Sequence, residues 1–418
     1  MCSKTLRTSE MSGELYEPET VWEFGMADRV KFGIGASREL PSAIHEHGAS
    51  SVLFVTDRGI EDAGIIDHLL GVLDGHDIEA AVHAAVEPEP SVNVYEEAMG
   101  AVADHDTDLV VGVGGGSSMD VAKTASVLAD SDGSVLDYAA SPVGDGRSMA
   151  ASGRPCICLP TTSGTGSETS PVAVVSDPSA NRKSGLSDRR LRPAMALVDP
   201  TLITSLPPAP TAFSGMDALG HAIESYSAIR FDAKPRPSNP EERPDYNGRS
   251  VLTDQLARKA IELVGDNLRR AVDNGNDLDA RRNMALASLL AGMAFTNSGT
   301  TAAHALAMAT GAAFDVPHGV AVAIFLPEVI RFNTQSSPER FDEIVRLLGA
   351  ERTAADASEA VGNLRRDVGI ADGLAEFGVT DDYIDELAER TLDMERLLSR
   401  NARRMAHDDV ERILRRAL

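Results

Sequence analysis

The sequence predicts two unlike halves, an α/β half built on a parallel sheet followed by an all-α half. Three observations carry this. Near-continuous apolar runs of strand length, SVLFVTD, DLVVGVG and CICLP, alternate with helix-like stretches as far as Pro207-Pro208. A glycine triplet, Gly114 to Gly116, stands where one of these runs gives way to a helix pattern. From residue 211 onward the apolar residues recur with the 3.6-residue spacing of helices. A chain of 418 residues exceeds one ordinary core. We expect a loose arm over 1–20, an α/β domain over 21–206 and a helical domain over 207–418.

Residues 21–35 alternate like a strand pair with a glycine-rich end, and ASRELPSAIHEHG reads as a helix. SVLFVTD is a buried parallel strand ending in Asp57, followed by a single helix over IEDAGIIDHLLGVLDGH and a strand over IEAAVHAAV. VNVYEEAMGAVADHD is helical, and DLVVGVG is a strand that runs into GGGSSMDVAKTASVLAD. Ser117 to Asp120 has capping-box spacing and sets the expected start of that helix. After a stretch of helix and loop come strand CICLP, a hydroxyl-rich loop and two further strand-like runs, with Lys183 between them. TAFSGMDALGHAIESYSA, LTDQLARKAIELVGDNLRRAV, ARRNMALASLLAGMAF and TTAAHALAMATGAA are helices. A polar, Pro-rich loop, FDAKPRPSNPEERPDYNG, interrupts them. GVAVAIFLPEVIRFN is a core helix and the tail is a series of amphipathic helices.

The net charge of −25 and the presence of only six lysines argue against nucleic acid and anionic membranes as partners. An acidic, lysine-poor surface suits a halophilic, salt-adapted protein. The polar N-terminus has no apolar signal core and no run is long enough to span a bilayer, so we expect a cytoplasmic protein. Of three cysteines, Cys156 and Cys158 fall on one face of a strand, as a redox or metal-binding pair or as two small buried hydrophobes.

The chemistry gathers at two places. Gly114, Gly115 and Gly116 let the backbone approach a ligand at a helix N-terminus, which suits a pyrophosphate. Asp57, closing an earlier strand, suits ribose hydroxyls and would repel a 2′-phosphate, which favours NAD over NADP; it reads equally as a helix N-cap. Thr161, Thr162, Ser163, Thr165 and Ser167 crowd a Gly-containing loop, suited to ribose and phosphate or to an exposed turn. Lys183 suits cofactor hydroxyls, a phosphate or a surface carboxylate. In the helical half, Asp217 and His221 leave one helix face a turn apart, His304 lies on a second helix and His318 in the turn-rich stretch FDVPHG. Taken singly, these are a helix cap, two half-buried histidines and a loop histidine. Jointly, one carboxylate and three imidazoles suit Fe(II) or Zn(II) with a position left for substrate.

GGGSSMDVAK, PTTSGTGSE, VDPTLITSLPP, GMDALGHAIES and VPHG, in this order, resemble the iron-containing (group III) alcohol dehydrogenase family over nearly the whole chain. The resemblance implies a dehydroquinate synthase-like, iron alcohol dehydrogenase fold. In it an N-terminal dinucleotide-binding domain and a C-terminal metal-binding domain bring nicotinamide and metal together in a cleft. It implies the metal ligands Asp217, His221, His304 and His318, which also form the catalytic centre. It places pyrophosphate on Gly115, Gly116 and Ser117, and further cofactor contacts on Asp57, Thr161, Thr162, Thr165 and Lys183. The implied cofactors are NAD and Fe(II) or Zn(II), the partners are a small-molecule alcohol or a hydroxy acid and oxo acid, and the assembly is a homodimer or larger homo-oligomer. FGMADRVKFG, LDYAASPVGDG and SNPEERPDYNG are similar to the hydroxyacid–oxoacid transhydrogenase subgroup, which passes hydride between 4-hydroxybutyrate and 2-oxoglutarate. Arg236, Arg243 and Arg249 in that loop are candidates for a substrate carboxylate or an ordinary solvated loop. Many family members carry a proton-relaying histidine four residues after the third ligand; here Met308 stands there. The alternatives are a general NAD-dependent alcohol dehydrogenase or aldehyde reductase, a cyclising lyase of dehydroquinate synthase type, and a non-catalytic binder of NAD or metal.

Overall fold

Apolar runs become strands here because each is buried on both faces by helices. A computed structural model describes residues 21–418 except 141–143, 150–152, 178–181 and 352. The expected arm over 1–20 lies outside the described residues. The first half comprises β1 (Arg29–Phe32), α1 (Leu40–Glu46), β2 (Ser51–Val55), α2 (Arg58–Asp62), α3 (Ile65–Leu73), β3 (Glu79–His83), α4 (Val92–Asp104), β4 (Leu109–Gly114), α5 (Gly116–Leu128), β5 (Cys156–Pro160), β6 (Val172–Asp177), β7 (Arg182–Ser187) and β8 (Met195–Val198). Six strands form one sheet in the order β1-β8-β5-β4-β2-β3, every pair parallel, while β6 and β7 form a separate antiparallel pair. The chain steps outward from β2 to β3, then returns to add β4 on the other side of β2. The direction therefore reverses between β2 and β4, and in such sheets the ligand crevice lies outside the carboxyl ends of those strands.

Alternation along β4 and β5 divides their side chains between two cores. Val110, Cys156 and Cys158 face the α4–α5 side; Leu109, Val111, Val113, Ile157 and Leu159 face the α1–α3 side. The two cysteines are buried free thiols with sulfurs 3.9 Å apart, packed among apolar neighbours.

Several local expectations are corrected. Residues 21–35 contain one strand, β1, instead of a pair, since it finds a partner only in β8. The helix expected over 60–76 is two helices, because Gly64 adopts a left-handed conformation (φ 74°) that ends α2 and starts α3. Lys183 lies within β7 instead of between strands. The Ser117–Asp120 capping box does not form: α5 starts at Gly116 with Gly115 as N-cap and no side-chain cap. Asp120 is drawn elsewhere, accepting from the Ser167 hydroxyl (2.5 Å) and the Val174 amide (3.1 Å).

The second half comprises α6 (Pro208–Ser227), α7 (Val251–Asp273), α8 (Leu278–Ser298), α9 (Ala302–Phe314), α10 (His318–Asn333), α11 (Pro338–Leu347), α12 (Ala357–Asp367), α13 (Ile384–Leu392), α14 (Glu395–Leu398) and α15 (His407–Ala417). Gly215 to Tyr226 of α6 are buried without interruption, as expected of a helix surrounded by others. One apolar cluster runs from Ala212 to Ala417. His318 is the first residue of α10 instead of a loop residue, the helix starting directly after Pro317. The Pro-rich loop is exposed over much of its length, but two of its arginine side chains are buried. The Arg236 and Arg243 side chains are 5% and 3% exposed and ion-pair with Glu23 at 3.5 and 3.0 Å, pinning the N-terminal segment. Arg249 donates to the Ala228 carbonyl and pairs with Asp254.

The halves meet where β8 packs Ala196 and Val198 against Ala285 and Leu289 of α8. They also meet at the hydroxyl-rich loop, which is buried against α8. Gly166 (φ +61°) lies so close to Gly292 that a Cβ on Gly292 would stand 2.8 Å from the Gly166 Cα. The loop is fastened to α5 by Lys123, fully buried, whose ammonium donates to Ser167 Oγ (2.7 Å) and the Val172 carbonyl (2.7 Å) and pairs with Asp120 at 3.0 Å. Beside it, burial pushes the Glu168 carboxyl up to about 7 although Lys123 opposes the shift, and Glu168 Oε2 has no hydrogen-bond partner.

Two outcomes follow from this seam. Gly292→Ala is expected to cost about 1–3 kcal/mol by overpacking, read as a lower denaturation midpoint. Because Glu168 binds its proton more tightly folded than unfolded, the wild type loses stability as pH rises from about 4.5 to about 7. Glu168→Gln removes that loss, so the melting-temperature gain of the variant over wild type should grow by a few degrees between about pH 5 and about pH 8. A gain that does not change with pH would contradict the assignment.

Candidate metal and cofactor site

The residues the sequence singled out gather past the carboxyl ends of β2, β4 and β5, where the strand order reverses. Asp57 accepts from the Ile60 amide (3.1 Å) as N-cap of α2 and from the Ser118 hydroxyl of α5 (3.1 Å), so it is both a cap and a fixed carboxylate beside the glycine turn. Gly114 has φ +145°, and a Cβ there would strike Ser118. Gly115 and Gly116 open α5 with amides that no side chain caps, and Ser117 follows, half-buried. The Thr161 amide donates to the Gly114 carbonyl (2.9 Å), bringing the hydroxyl-rich loop alongside. Thr162 lies against Gly115 and Thr165 against Gly116. The hydroxyls of Thr161, Thr162 and Ser163 are buried with no protein partner. An exposed turn would have no such unanswered donors, whereas a phosphate-and-ribose ligand would use them.

The four candidate metal ligands converge. Asp217 and His221 come from adjacent turns of α6, His304 from the first turns of α9 and His318 from the first residue of α10. Asp217 Oδ1 lies 3.5 Å from His304 Nε2 and 3.6 Å from His318 Nε2, and Asp217 Oδ2 lies 3.9 Å from His221 Nδ1. Ligand atoms of Asp217, His221 and His304 all fall within 4.8 Å of one another. The His221 ring stacks on Phe295 (4.1 Å) and on His304 (4.5 Å). Its Nδ1 lies 3.2 Å from the Gly164 carbonyl, so the hydroxyl-rich loop orients this imidazole.

Three of the four side chains are 5–7% exposed, while His318 is 43% exposed, so the cluster opens on the His318 side. Lys183 pairs with Glu89 at 2.5 Å, and both charges act on the His318 ring. Lys183 therefore stands at the mouth of the cluster. Met308, one turn after His304, is half-buried.

Electrostatics favour a cation. Burial alone would raise the Asp217 carboxyl, but the three imidazoles hold it well below the usual carboxylate range. Burial lowers His221 to about 4 against the pull of Asp217, leaving a neutral ligand. Burial would also lower His304, but Glu224 and Asp217 raise it to about 9. Asp217 Oδ1 and His304 Nε2 are buried, face each other and have no good hydrogen-bond partner. Two orphaned donor atoms beside two more imidazoles fit a divalent cation bound by nitrogen and oxygen.

One contributor went unread in the sequence. Glu224, 1% exposed, approaches His304 Nδ1 at 2.5 Å. Its signal was available: it lies three residues after His221 and seven after Asp217, on the same helix face.

Comparisons with known proteins place the chain in a family. Residues 27–200 match the family model described as iron-containing alcohol dehydrogenase, and residues 247–418 match that of the Fe-containing alcohol dehydrogenase family, C-terminal. The chain is 34% identical over 414 residues to the mitochondrial hydroxyacid-oxoacid transhydrogenase of Rattus norvegicus, covering 94% of this chain and 89% of that one. It is 36% identical over 388 residues to long-chain-alcohol dehydrogenase 1 of Geobacillus thermodenitrificans, covering 91% and 93%. Among solved structures, a 1,3-propanediol oxidoreductase superposes with a TM-score of 0.85 at 31% identity, covering 95% of this chain and all of that one. Sulfoacetaldehyde reductase from Bifidobacterium kashiwanohense, in complex with NAD+, superposes with a TM-score of 0.82 at 28% identity, covering 95% and 98%. Matches of this extent, over both halves, mean that the chain belongs to the iron-containing alcohol dehydrogenase family and is an oxidoreductase acting on CH–OH groups with an NAD-type cofactor.

Proposed function

We propose that Asp217, His221, His304 and His318 hold a catalytic Fe(II), and that this enzyme moves hydride between a hydroxy acid and an oxo acid by way of NAD. The observation that carries the reading is the facing pair of orphaned atoms, Asp217 Oδ1 and His304 Nε2, at the seam with the cofactor loop. When bound, the cation supplies Lewis acidity to the substrate oxygen and the nicotinamide exchanges the hydride. The chain's own residues do the rest. Gly115, Gly116 and Ser117 present amides to the pyrophosphate; Thr161, Thr162 and Thr165 offer hydroxyls along the same crevice; Asp57 meets the ribose. Lys183, at the mouth, meets cofactor hydroxyls. Phe295 and the Gly164 carbonyl fix the plane of His221. Met308 offers no atom that takes a proton, so a ribose hydroxyl, water or another side chain carries it, and solvent reaches the cluster on the His318 side.

Likeness to hydroxyacid-oxoacid transhydrogenases supports 4-hydroxybutyrate with 2-oxoglutarate as the pair. Arg236 and Arg243 pin Glu23, so recognition of the carboxylate does not rest on them. A second reading, a general NAD-dependent alcohol dehydrogenase, is favoured by the 36% identity to a long-chain-alcohol dehydrogenase. Residues 21–206 and 207–418 act as two domains, supported by their separate apolar cores. Among the described residues no helix is long and apolar enough to cross a membrane. Salt adaptation is supported by the charge of −25 and by likeness, at 28% identity and a TM-score of 0.83, to an archaeal halo-thermophilic brine-pool alcohol dehydrogenase; a cytoplasmic homodimer or larger assembly belongs to the same proposal.

The deciding experiment measures turnover of 4-hydroxybutyrate with 2-oxoglutarate, no NAD added, on iron-loaded enzyme. Steady exchange is expected. Activity only with added NAD, and equal efficiency on 1-butanol, would select the second reading. For the cofactor, Asp57→Asn keeps the cap but removes the charge. It should raise the preference for NADP relative to NAD about tenfold, or ~1.4 kcal/mol, measured as the ratio of kcat/KM values.

A further inference from the structure

Glu224 is the one buried carboxylate at the metal cluster to which the mechanism above assigns no task. It reaches from α6 to the start of α9 and accepts four hydrogen bonds: from the Thr301 amide (2.9 Å), the Thr301 hydroxyl (2.7 Å), the Ala303 amide (2.6 Å) and His304 Nδ1 (2.5 Å). A carboxylate has about four lone-pair sites, so all are filled. Two of the donors are amides at the first turn of α9, groups that a helix leaves without internal partners. Thr301, the N-cap residue, makes no capping bond of its own, since its hydroxyl points to Glu224 instead. Glu224 thus caps α9 from a neighbouring helix.

The fourth bond has a separate consequence. Ionised Glu224 only accepts, so His304 Nδ1 must carry the hydrogen. When the ring gives up its second proton to bind a cation, the lone pair is therefore on Nε2, the atom that faces Asp217 Oδ1 at 3.5 Å. His221 Nδ1 meets a neutral acceptor instead, the Gly164 carbonyl at 3.2 Å. The two buried imidazoles are therefore oriented by acceptors of different charge, and the charged one strengthens its ligand more. Resting on the metal reading above, we propose that Glu224 is a positioning residue that sets the tautomer of His304 and so governs how long the cation is retained, the same carboxylate starting α9 in the register that delivers the ring.

Glu224→Gln keeps the shape and one accepting oxygen, but its amide turns donors toward sites that need acceptors. His304 is then driven to the tautomer with hydrogen on Nε2, which blocks the ligand atom. The test follows release of metal from iron-loaded enzyme, and in parallel zinc-loaded enzyme, to an excess of chelator, together with melting temperature and NAD affinity. Release from Glu224→Gln should be about 10–100-fold faster than from wild type, with NAD affinity unchanged. Thr301→Ala, which removes a capping donor but keeps the carboxylate–imidazole pair, should lower the melting temperature and leave release near the wild-type rate. Glu224→Asp, which keeps the charge, should fall between wild type and Glu224→Gln. The proposal is overturned if Glu224→Gln releases metal at the wild-type rate. It is equally overturned if release in all three variants simply tracks their loss of melting temperature, which would leave Glu224 a helix cap only. Wild type that retains no metal, or His304→Ala that retains it as well as wild type does, would instead remove the metal assignment.

Discussion

A buried carboxylate oxygen without a hydrogen-bond donor is the constraint around which this molecule is arranged. Asp217 is 4% exposed, and its Oδ1 has only imidazole nitrogens near it. Such a group is costly unless a positive charge answers it. Three helices end their side chains on that point, and one of them, α6, is buried over most of its length because α7, α8 and α10 pack around it. The polar cluster lies inside an apolar bundle, where a low dielectric strengthens its preference for a cation.

The cofactor crevice is coupled to that cluster through backbone. The loop that carries Thr161, Thr162 and Thr165 also supplies the Gly164 carbonyl to His221, and two residues later Gly166 presses on Gly292 of α8. The same loop is tied back to the helix after the glycine turn by Lys123 and Asp120. Displacing the loop would thus disturb the glycine turn and the Asp217–His221–His304 cluster together. Hydride transfer tolerates little error in the distance between its two centres, and a shared rigid loop meets that demand. The cost is visible beside it, in Glu168, a buried carboxyl with one oxygen unpartnered.

Much of this was readable residue by residue. The i, i+4 spacing of Asp217 and His221 placed both on one helix face, and β2 and β4 were evident as unbroken apolar runs. Misreadings arose where a local pattern competed with a distant partner. The Ser117–Asp120 spacing looks like a cap, but Asp120 finds Ser167 and Val174, more than forty residues away, and the helix starts on bare glycine. Arg236 and Arg243 look like members of a solvated loop, yet they bind Glu23, over two hundred residues earlier. Glu224 looks like an ordinary helical acid until α9 is brought against it.

The sequence by itself determined the order of layers and the family, and it picked out the glycine turn and the four residues proposed as donors. Each of these depends on residue type and on spacing within a single element, which 3.6-fold or two-fold periodicity reports directly. Tertiary structure alone decided that Asp217 and the three histidines meet, that His318 opens a helix on the exposed side, and which acceptor each buried imidazole finds. Those depend on atoms from helices far apart in the chain arriving within about 3 Å of each other, the reach of a hydrogen bond. No pattern along one strand or helix encodes a distance between two of them.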